Sequence, residues 1–519
     1  MMFKMQLRLL VLWAIATTLP GCASFDFIKE KFNPKETISA TPVAPQWRTE
    51  LPPRSKVMTA QLPHDGKIEN LQAFWAQYQD TLLLELIAAA EKESLDIATS
   101  KARISEARAN RIAASAVLLP TLDGKFSASR SIQQPTIQYD TNQPQLSSFG
   151  SQQSSAVNSA DISAQAAWEL DVFGANRTLN NAAIAREHSA QAGWHDARVS
   201  VAAEVATSYF NQQFCQMQLL IDANDAKSRA ETARISEIST KAGFTANADM
   251  QLAIASASES AQLAKAQQAQ CDLGIKELVA LTDMDEATLK TKLVNLPLEV
   301  NAENQSLFTI SEIPAQVIAQ RPDIFSAEVD LMTAAANIKD KQAQRLPKVS
   351  LNGSIGWMRL SGSGFTGNGT VWSLGPLSIT LPLFDGGKRK ANEEYAVAKY
   401  EEAAINYRSK VRYAVKEVED ALVTLHSTAM RQTDVERALN GYNASLKATE
   451  TKVKAGFANQ LELEENRRRA LQAETNRINL LKERNNAWIA LYRAAGGGWQ
   501  NTDSTIGNEA KAKSTKSSN

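Results

Sequence analysis

The sequence predicts a mostly α-helical protein with a small β part, built as a tandem duplication of one helix–strand–strand–helix unit. Three observations carry this. Long stretches rich in Ala, Gln, Glu, Lys, Arg and Leu are broken by only 16 Pro and 23 Gly in 519 residues, which is what extended helices require. Segments in two places alternate apolar and polar residues with period two, the mark of strands. The chain also matches itself at a fixed spacing, because Asp96 and Asp323 lie 227 apart and so do Pro120 and Pro347. Composition removes several function classes. With 56 Lys+Arg against 56 Asp+Glu and 44% hydrophobic residues, the chain is neither a disordered polyelectrolyte nor a nucleic-acid binder. Four His and three Cys leave few ligands for a metal centre.

The N-terminus reads as an address. Lys4 and Arg8 precede the apolar run Leu9 to Ala16, and Leu19-Pro20-Gly21-Cys22 follows. Residues 1–21 therefore form a secretory signal peptide, too short for a membrane span. Leu-x-Gly before Cys resembles the bacterial lipobox, which implies that Cys22 becomes the first mature residue and carries covalent lipid; an ordinary signal peptide cut near Ala23 is the alternative. By the same resemblance, Ala23 stands where an Asp would retain a lipoprotein at the inner membrane, which implies outer-membrane delivery. Residues 22–60, with Pro34, Pro42, Pro45, Pro52 and Pro53, read as an extended strap from lipid to body. No spanning apolar run follows position 22, so a mature chain that crosses a membrane must do so with strands.

Each copy then runs helix, strand pair, long helical hairpin. Residues 61–120 and 301–347 are helical lead-ins. Strands occupy 121–173 and 348–385, with Leu122, Gly124, Phe126, Ala128 and then Ile162, Ala164, Ala166, Trp168, Leu170 on one face of the first pair. Val349, Leu351, Gly353, Ile355 and then Leu377, Ile379, Leu381, Leu383 take these places in the second. About ten residues per strand with one apolar face fits a transmembrane barrel, and a pair of hairpins in a soluble sandwich is the alternative. Four strands cannot close a barrel. Beyond the strands the repeat spacing drops to 213, as between Lys241-Ala242-Gly243-Phe244 and Lys454-Ala455-Gly456-Phe457. The 14 extra residues of the first copy fit its Ser/Gln/Asn-rich loop at 133–160. The Gly-rich run at 361–369 contains Gly362, Gly364 and Gly367 in GxGxxG spacing, but no helix follows to hold a phosphate, so it reads as an extracellular loop.

The two hairpins fall within 174–300 and 386–498. Helices expected over 178–241 and 388–454 would each span roughly 95–100 Å. The second shows Val411, Val415, Val418, Leu422 and Leu425 in coiled-coil spacing and resumes after a slip near Thr428 as Val435, Leu439, Tyr442 and Leu446. Gly243 and Gly456 mark the hairpin tips, and the chain returns through Leu252–Leu281 and Leu461–Leu491. Cys215 and Cys271 are equidistant from Gly243 and so lie at one height on adjacent helices; they are either a disulfide or two buried free thiols. The tail 499–519 reads as disordered.

Lipobox, duplicated helix–strand–strand–helix halves, Arg321-Pro322-Asp323-Ile324 and two Gly-containing tips together resemble the outer membrane factor family of TolC-like channels, in its NodT/OprM-like lipoprotein branch. The resemblance covers roughly residues 60–498. It implies a homotrimer in which four strands per protomer complete a twelve-stranded β-barrel in outer-membrane lipid, above an α-helical barrel of long antiparallel hairpins. It further implies a passive duct working with a periplasmic adaptor and an inner-membrane pump, the adaptor meeting the tips at Gly243, Phe244, Gly456 and Phe457. Family tips carry Ser or Thr three residues after the Gly and an acid three later; here those places hold Ala246 and Asn459, then Asp249 and Glu462. By the same resemblance Glu462 and Glu465, on one helical face, with Asp249, narrow the entrance as a cation-favouring ring. The alternative is a solvated face paired with Arg467, Arg468 or Arg469. An exit duct of one-step protein secretion and a non-conducting envelope tether are the other functional readings. Enzyme readings lack parts: His64, His188, His195 and His426 are scattered and no nucleophile or phosphate-binding motif accompanies them. No cofactor is expected beyond the lipid on Cys22.

Overall fold

The computed structural model describes residues 32–49, 75–132, 156–294, 317–362 and 365–498. The signal peptide 1–21, the lipidation site Cys22, most of the enlarged first loop and the tail 499–519 lie outside the described residues. In chain order the elements are α1 (Pro34–Ser39), α2 (Thr81–Glu93), α3 (Leu95–Ala116), β1 (Thr121–Ile132), β2 (Ala156–Leu170), α4 (Ala175–Lys241) and α5 (Asn247–Thr282). They continue with α6 (Glu286–Val294), α7 (Pro322–Ala343), β3 (Lys348–Gly362), β4 (Phe365–Thr380), α8 (Lys388–Lys454) and α9 (Gln460–Ala494). Among the described residues no helix is long and apolar enough to cross a membrane.

The duplication sets the element boundaries. Shifting α3 by 227 gives the bounds of α7, and shifting α4 by 213 gives those of α8, each 67 residues long. A helix of that length spans about 100 Å. Both long helices start directly after a glycine in the left-handed region, Gly174 at φ 72° and Gly387 at φ 92°, where a residue with a Cβ would be strained. The start of α7 is fixed by Pro322 in its first turn, where the missing N–H is harmless, and that of α3 by the Ser94 hydroxyl, which accepts from the Ile97 amide.

One antiparallel sheet runs in the order β1-β2-β3-β4. Side by side beneath it the helices follow the same order, α3 against α4, α4 against α7, α7 against α8. Toward the tips the neighbours become α5, α4, α9 and α8. The largest core lies where α2 packs on α4 and α5 and where Trp75 meets Tyr492 of α9 with ring centroids 5.1 Å apart; Leu83, Leu86, Tyr209, Phe214 and Trp488 are buried with them. A smaller cluster joins α7 to α8 through Leu331, Ile338, Ala396 and Tyr400.

Four expectations are corrected. The strap is not simply extended: Pro34–Ser39 forms a helix capped by the Asn33 side chain. It runs along α8, where Thr37 bonds the Tyr400 hydroxyl at 2.8 Å and the Arg48 and Thr49 amides donate to Glu419. Its prolines miss the helix interior, so only their density suggested extension. Most of the Gly-rich run at 361–369 is paired strand, not loop, with Gly362 opposite Phe365 and Leu360 opposite Gly367. The fourth strand ends at Thr380, short of the expected Leu381 and Leu383, because β3 begins at Lys348 and offers no partner further on. Finally, the α8 seam is buried at Val411, Val418, Leu422 and Leu425, but Val435, Leu439 and Leu446 are half-buried and Tyr442 is exposed, since within one chain α9 alone flanks α8 there.

Candidate functional site

The sheet has two chemically distinct faces. Registered rows place Leu122, Ala166, Gly353 and Leu374 together, then Gly124, Ala164, Ile355 and Trp372, then Phe126, Ile162, Trp357 and Thr370. The rows between them hold Asp123, Gln165, Ser354 and Ser373, then Lys125, Ser163, Gly356 and Val371, and the next row beyond Phe126 holds Ser127, Asp161, Met358 and Gly369. On this polar face hydroxyls bond across strands: Ser129 to Ser159 at 2.7 Å, Ser350 to Ser378 at 2.7 Å, Ser354 to Ser373 at 2.8 Å, and Ser127 to Asp161. Among the described residues the apolar face makes no such bonds, and Leu122, Phe126, Ile162, Ile355 and Trp372 stand exposed on it. An apolar face beside a hydrogen-bonded polar one on strands of 12 to 16 residues suits lipid on one side and water on the other. Among the described residues both outer strands, β1 and β4, are unpaired on one edge, a condition that a closed barrel removes.

Both hairpin tips are built alike. Gly243 (φ 79°) and Gly456 (φ 78°) follow the long helices in the left-handed region. The amide of Phe244 donates to the Ser239 carbonyl at 2.9 Å and that of Gly243 to Thr240 at 3.0 Å; Phe457 and Gly456 repeat this with Lys452 at 2.8 Å and Val453 at 3.0 Å. This double bond pattern closes the helix end and needs glycine at its left-handed residue. It leaves Phe244 86% and Phe457 85% exposed, one large apolar ring presented to solvent at the end of each hairpin. The departures at Ala246 and Asn459 acquire a physical meaning. Both are N-cap residues, and Asn459 accepts from the Glu462 amide at 2.8 Å while Ala246 leaves α5 without a side-chain cap.

The acids separate into two kinds. Asp249 and Glu462 are exposed in the first turns of α5 and α9. Glu465 is paired with Arg468 and with Arg469, the latter at 3.0 Å. Glu464, which the sequence reading passed over, bonds Thr232 on α4 at 2.8 Å and pairs with Arg467; Gln460 adds a bond to the same Thr232 at 3.0 Å. These polar contacts tie the two hairpins together just above the tips. The structure joins Cys215 and Cys271 in a disulfide, with Cα atoms 5.6 Å apart.

The work of Arg321 was hidden in its motif. Its guanidinium donates to Asp323 at 2.9 and 3.0 Å, to Glu417 at 2.7 Å and to the Ala494 carbonyl at 2.9 Å. It thereby fastens the start of α7 to both α8 and the end of α9. Burial alone would raise the Asp323 pKa, but the hydrogen bonds and charge of Arg321, helped by Lys410 and the Ile324 amide, hold it below the usual carboxylate value. A second buried cation, Arg198, is 1% exposed, pairs with Glu91 at 3.3 Å and lies over the Trp194 ring. Here burial dominates and the Glu91 carboxyl is raised despite Arg198. No spacing rule links Glu91 to Arg198 in the sequence. For Arg321 a signal existed, since Glu417-Val418 matches Glu204-Val205 at the repeat spacing of 213.

A family model described as outer membrane efflux protein matches residues 86–275 and 313–497. The chain is 27% identical over 430 residues to the solvent efflux pump outer membrane protein SrpC of Pseudomonas putida, covering 81% of this chain and 86% of that protein. It is 30% identical over 347 residues to the outer membrane protein OprJ of Pseudomonas aeruginosa, covering 65% of this chain and 70% of the relative. Among solved structures, a membrane protein from Pseudomonas aeruginosa superposes with a TM-score of 0.73 at 25% identity, over 88% of this chain and 98% of the other.

Proposed function

The chain belongs to the outer membrane efflux protein family and is an outer-membrane channel protein of an efflux system, and we propose that three copies form its duct, anchored by lipid on Cys22 and fed by an inner-membrane pump through a periplasmic adaptor. The observation that carries this reading is the four-stranded sheet with one apolar face, one hydrogen-bonded polar face and two open edges. Such a sheet is incomplete alone, and three copies supply twelve strands around a polar lumen, enough for a water-filled bore over the long helices. The duct is passive. It catalyses nothing, and the pump supplies energy and selects cargo.

In this reading the exposed Phe244 and Phe457 rings and the bends at Gly243 and Gly456 meet the adaptor, whose apolar residues would cover them. The entrance ring draws its negative charge from Glu462 and Asp249. Glu465 contributes little net charge, because Arg468 and Arg469 neutralise it. Single-channel recording of the purified protein in planar bilayers tests both the duct and the ring. Small cation-selective openings are expected, with Glu462→Gln cutting cation preference more than Glu465→Gln does. Folded, lipidated protein that never conducts would leave the tether reading in place, and an equal effect of the two substitutions would remove the assignment of the ring to Glu462.

A further inference from the structure

Charge on the sheet is sorted by face. Among the described strands all three acids, Asp123, Asp161 and Glu169, stand on the polar face, together with Lys125 and Lys348. The apolar face of these strands carries no acid and two cations, Arg130 on β1 and Arg359 on β3. Five consecutive rows of that face, from Leu170, Val349 and Ile379 up to Phe126, Ile162 and Trp357, hold no charged residue. They cover about 27 Å along the strands, or about 21 Å across a membrane at a tilt of roughly 40°, close to the apolar band of about 25 Å on an outer-membrane barrel. Arg359 falls in the first row beyond this band, beside Ala160 and Asn368, and Arg130 in the second, beside Asn158.

The direction of the chain fixes which end of the sheet this is. α3 leads into β1 and α7 into β3, while α4 and α8 follow β2 and β4, so all four helices join the sheet at the end opposite the arginines. With the helices in the periplasm, the arginines stand at the outer surface. An arginine facing lipid is costly at mid-membrane and nearly free at the interface, where its stem lies on the apolar surface and its guanidinium reaches the headgroups. Both side chains are exposed, and neither is paired with an acid among the described residues. Two strands and one row separate them, which sets their Cα atoms about 12 Å apart. Asn158, also exposed, lies directly opposite Arg130 on the strand between them.

We propose that Arg130 and Arg359, with Asn158 between them, bind the phosphorylated sugar headgroup of a glycolipid of the lipid A class in the outer leaflet. This rests on the membrane-spanning sheet described above and adds a ligand to its outer face. A guanidinium fork matches the oxygens of a phosphate and binds it in bidentate fashion. The wide spacing of the two forks suits a headgroup with phosphates at both ends of a rigid disaccharide better than one with a single phosphate. The Asn158 amide is placed to meet sugar hydroxyls between the forks. A phospholipid of the inner leaflet meets the sheet at its helix end, below the whole apolar band, and is out of reach of either arginine. Phe126 and Trp357, the large rings of the last apolar row, then lie against the acyl chains of the same glycolipid, as aromatic residues at a barrel rim do.

The test uses the purified full chain in phosphatidylcholine nanodiscs and measures binding of bisphosphorylated lipid A. Monophosphorylated lipid A, phosphatidylglycerol and inorganic phosphate are the comparison ligands. The wild type is expected to favour the bisphosphorylated form over all three. Arg130→Gln and Arg359→Gln should each weaken its binding about fivefold, and together roughly 25-fold, erasing the preference over the monophosphorylated form. Arg130→Lys with Arg359→Lys keeps the charge without the fork and should fall between wild type and the double glutamine variant. A nitroxide attached at Ile355→Cys reports separately on the face, since in hydrocarbon it collides more with oxygen than with a water-soluble nickel chelate. With that label in hydrocarbon in every variant, unchanged lipid A binding after both arginines are removed overturns the headgroup site and leaves the membrane-spanning sheet standing. Binding of phosphatidylglycerol or inorganic phosphate as tight as that of lipid A overturns the glycolipid assignment in the same way. A label exposed to water overturns the membrane-spanning sheet and the site with it.

Discussion

Arg321 is 8% exposed, and its bonds to Asp323, Glu417 and the Ala494 carbonyl make one side chain answer for the junction of three helices. Removing a buried cation strands its partners, and because Glu417 is half exposed the cost of Arg321→Met should sit near the lower end for such pairs, about 3 kcal/mol. The Asp323 carboxyl is held below its ordinary value, so the unfolded chain takes up a proton before the folded one does as pH falls. The contribution of the pair is therefore complete above the unfolded carboxylate range, about pH 4, and is lost as pH drops through the lowered folded value. Thermal melts of wild type and Arg321→Met in detergent should differ most near pH 8, and the gap should narrow as pH falls toward and through about pH 4. A difference that persists unchanged into strong acid would show that packing, not charge, is what Arg321 provides.

At the scale of elements, the two hairpins share length and tip geometry but differ in one covalent bond. The positions of α8 and α9 displaced from Cys215 and Cys271 hold Thr428, bonded to its own helix at the Leu425 carbonyl, and Arg484, bonded to Gln432 on α8 at 2.6 Å. Only the α4/α5 hairpin is cross-linked, across a loop of 56 residues, which restricts its opened states and is worth about 2–4 kcal/mol. Cys215→Ser should accelerate amide hydrogen exchange from the disulfide down to the Gly243 tip and leave the α8/α9 hairpin at its wild-type rate. Equal acceleration in both hairpins would mean that they open as one unit. The hairpin itself was legible in the sequence because a repeat calibrates itself: two glycines 213 apart fix both tips, and the equal distances of the two cysteines from Gly243 follow. The helix in the strap was not legible, since it depends on contacts with Tyr400 and Glu419 more than 360 residues away. The end of β4 was misread for a related reason. Alternation reports which face a residue would take, not whether a strand lies beside it.

Across the whole molecule the decisive question is whether the sheet separates lipid from water, and adjacent residues of β3 can answer it. Ile355 pairs with Ala164 and Trp372 on the apolar face, while Ser354 pairs with Gln165 and Ser373 on the polar one. The two share a strand, a depth and nearly the same backbone, so any difference between them arises from what each face meets. In a closed barrel an arginine at position 355 points into hydrocarbon near the middle of the strand, at a cost of roughly 2–4 kcal/mol per copy. An arginine at position 354 enters the lumen at little cost and adds one positive charge per copy to the bore. Ile355→Arg should thus lower the amount of assembled protein recovered from the outer membrane. Ser354→Arg should assemble at wild-type levels and shift single-channel selectivity away from cations. Equal recovery of both variants, with conductance unchanged in each, would mean that neither face touches lipid. The sheet would then be a solvated platform and the long helices a tether, because a duct requires the two faces to be unequal.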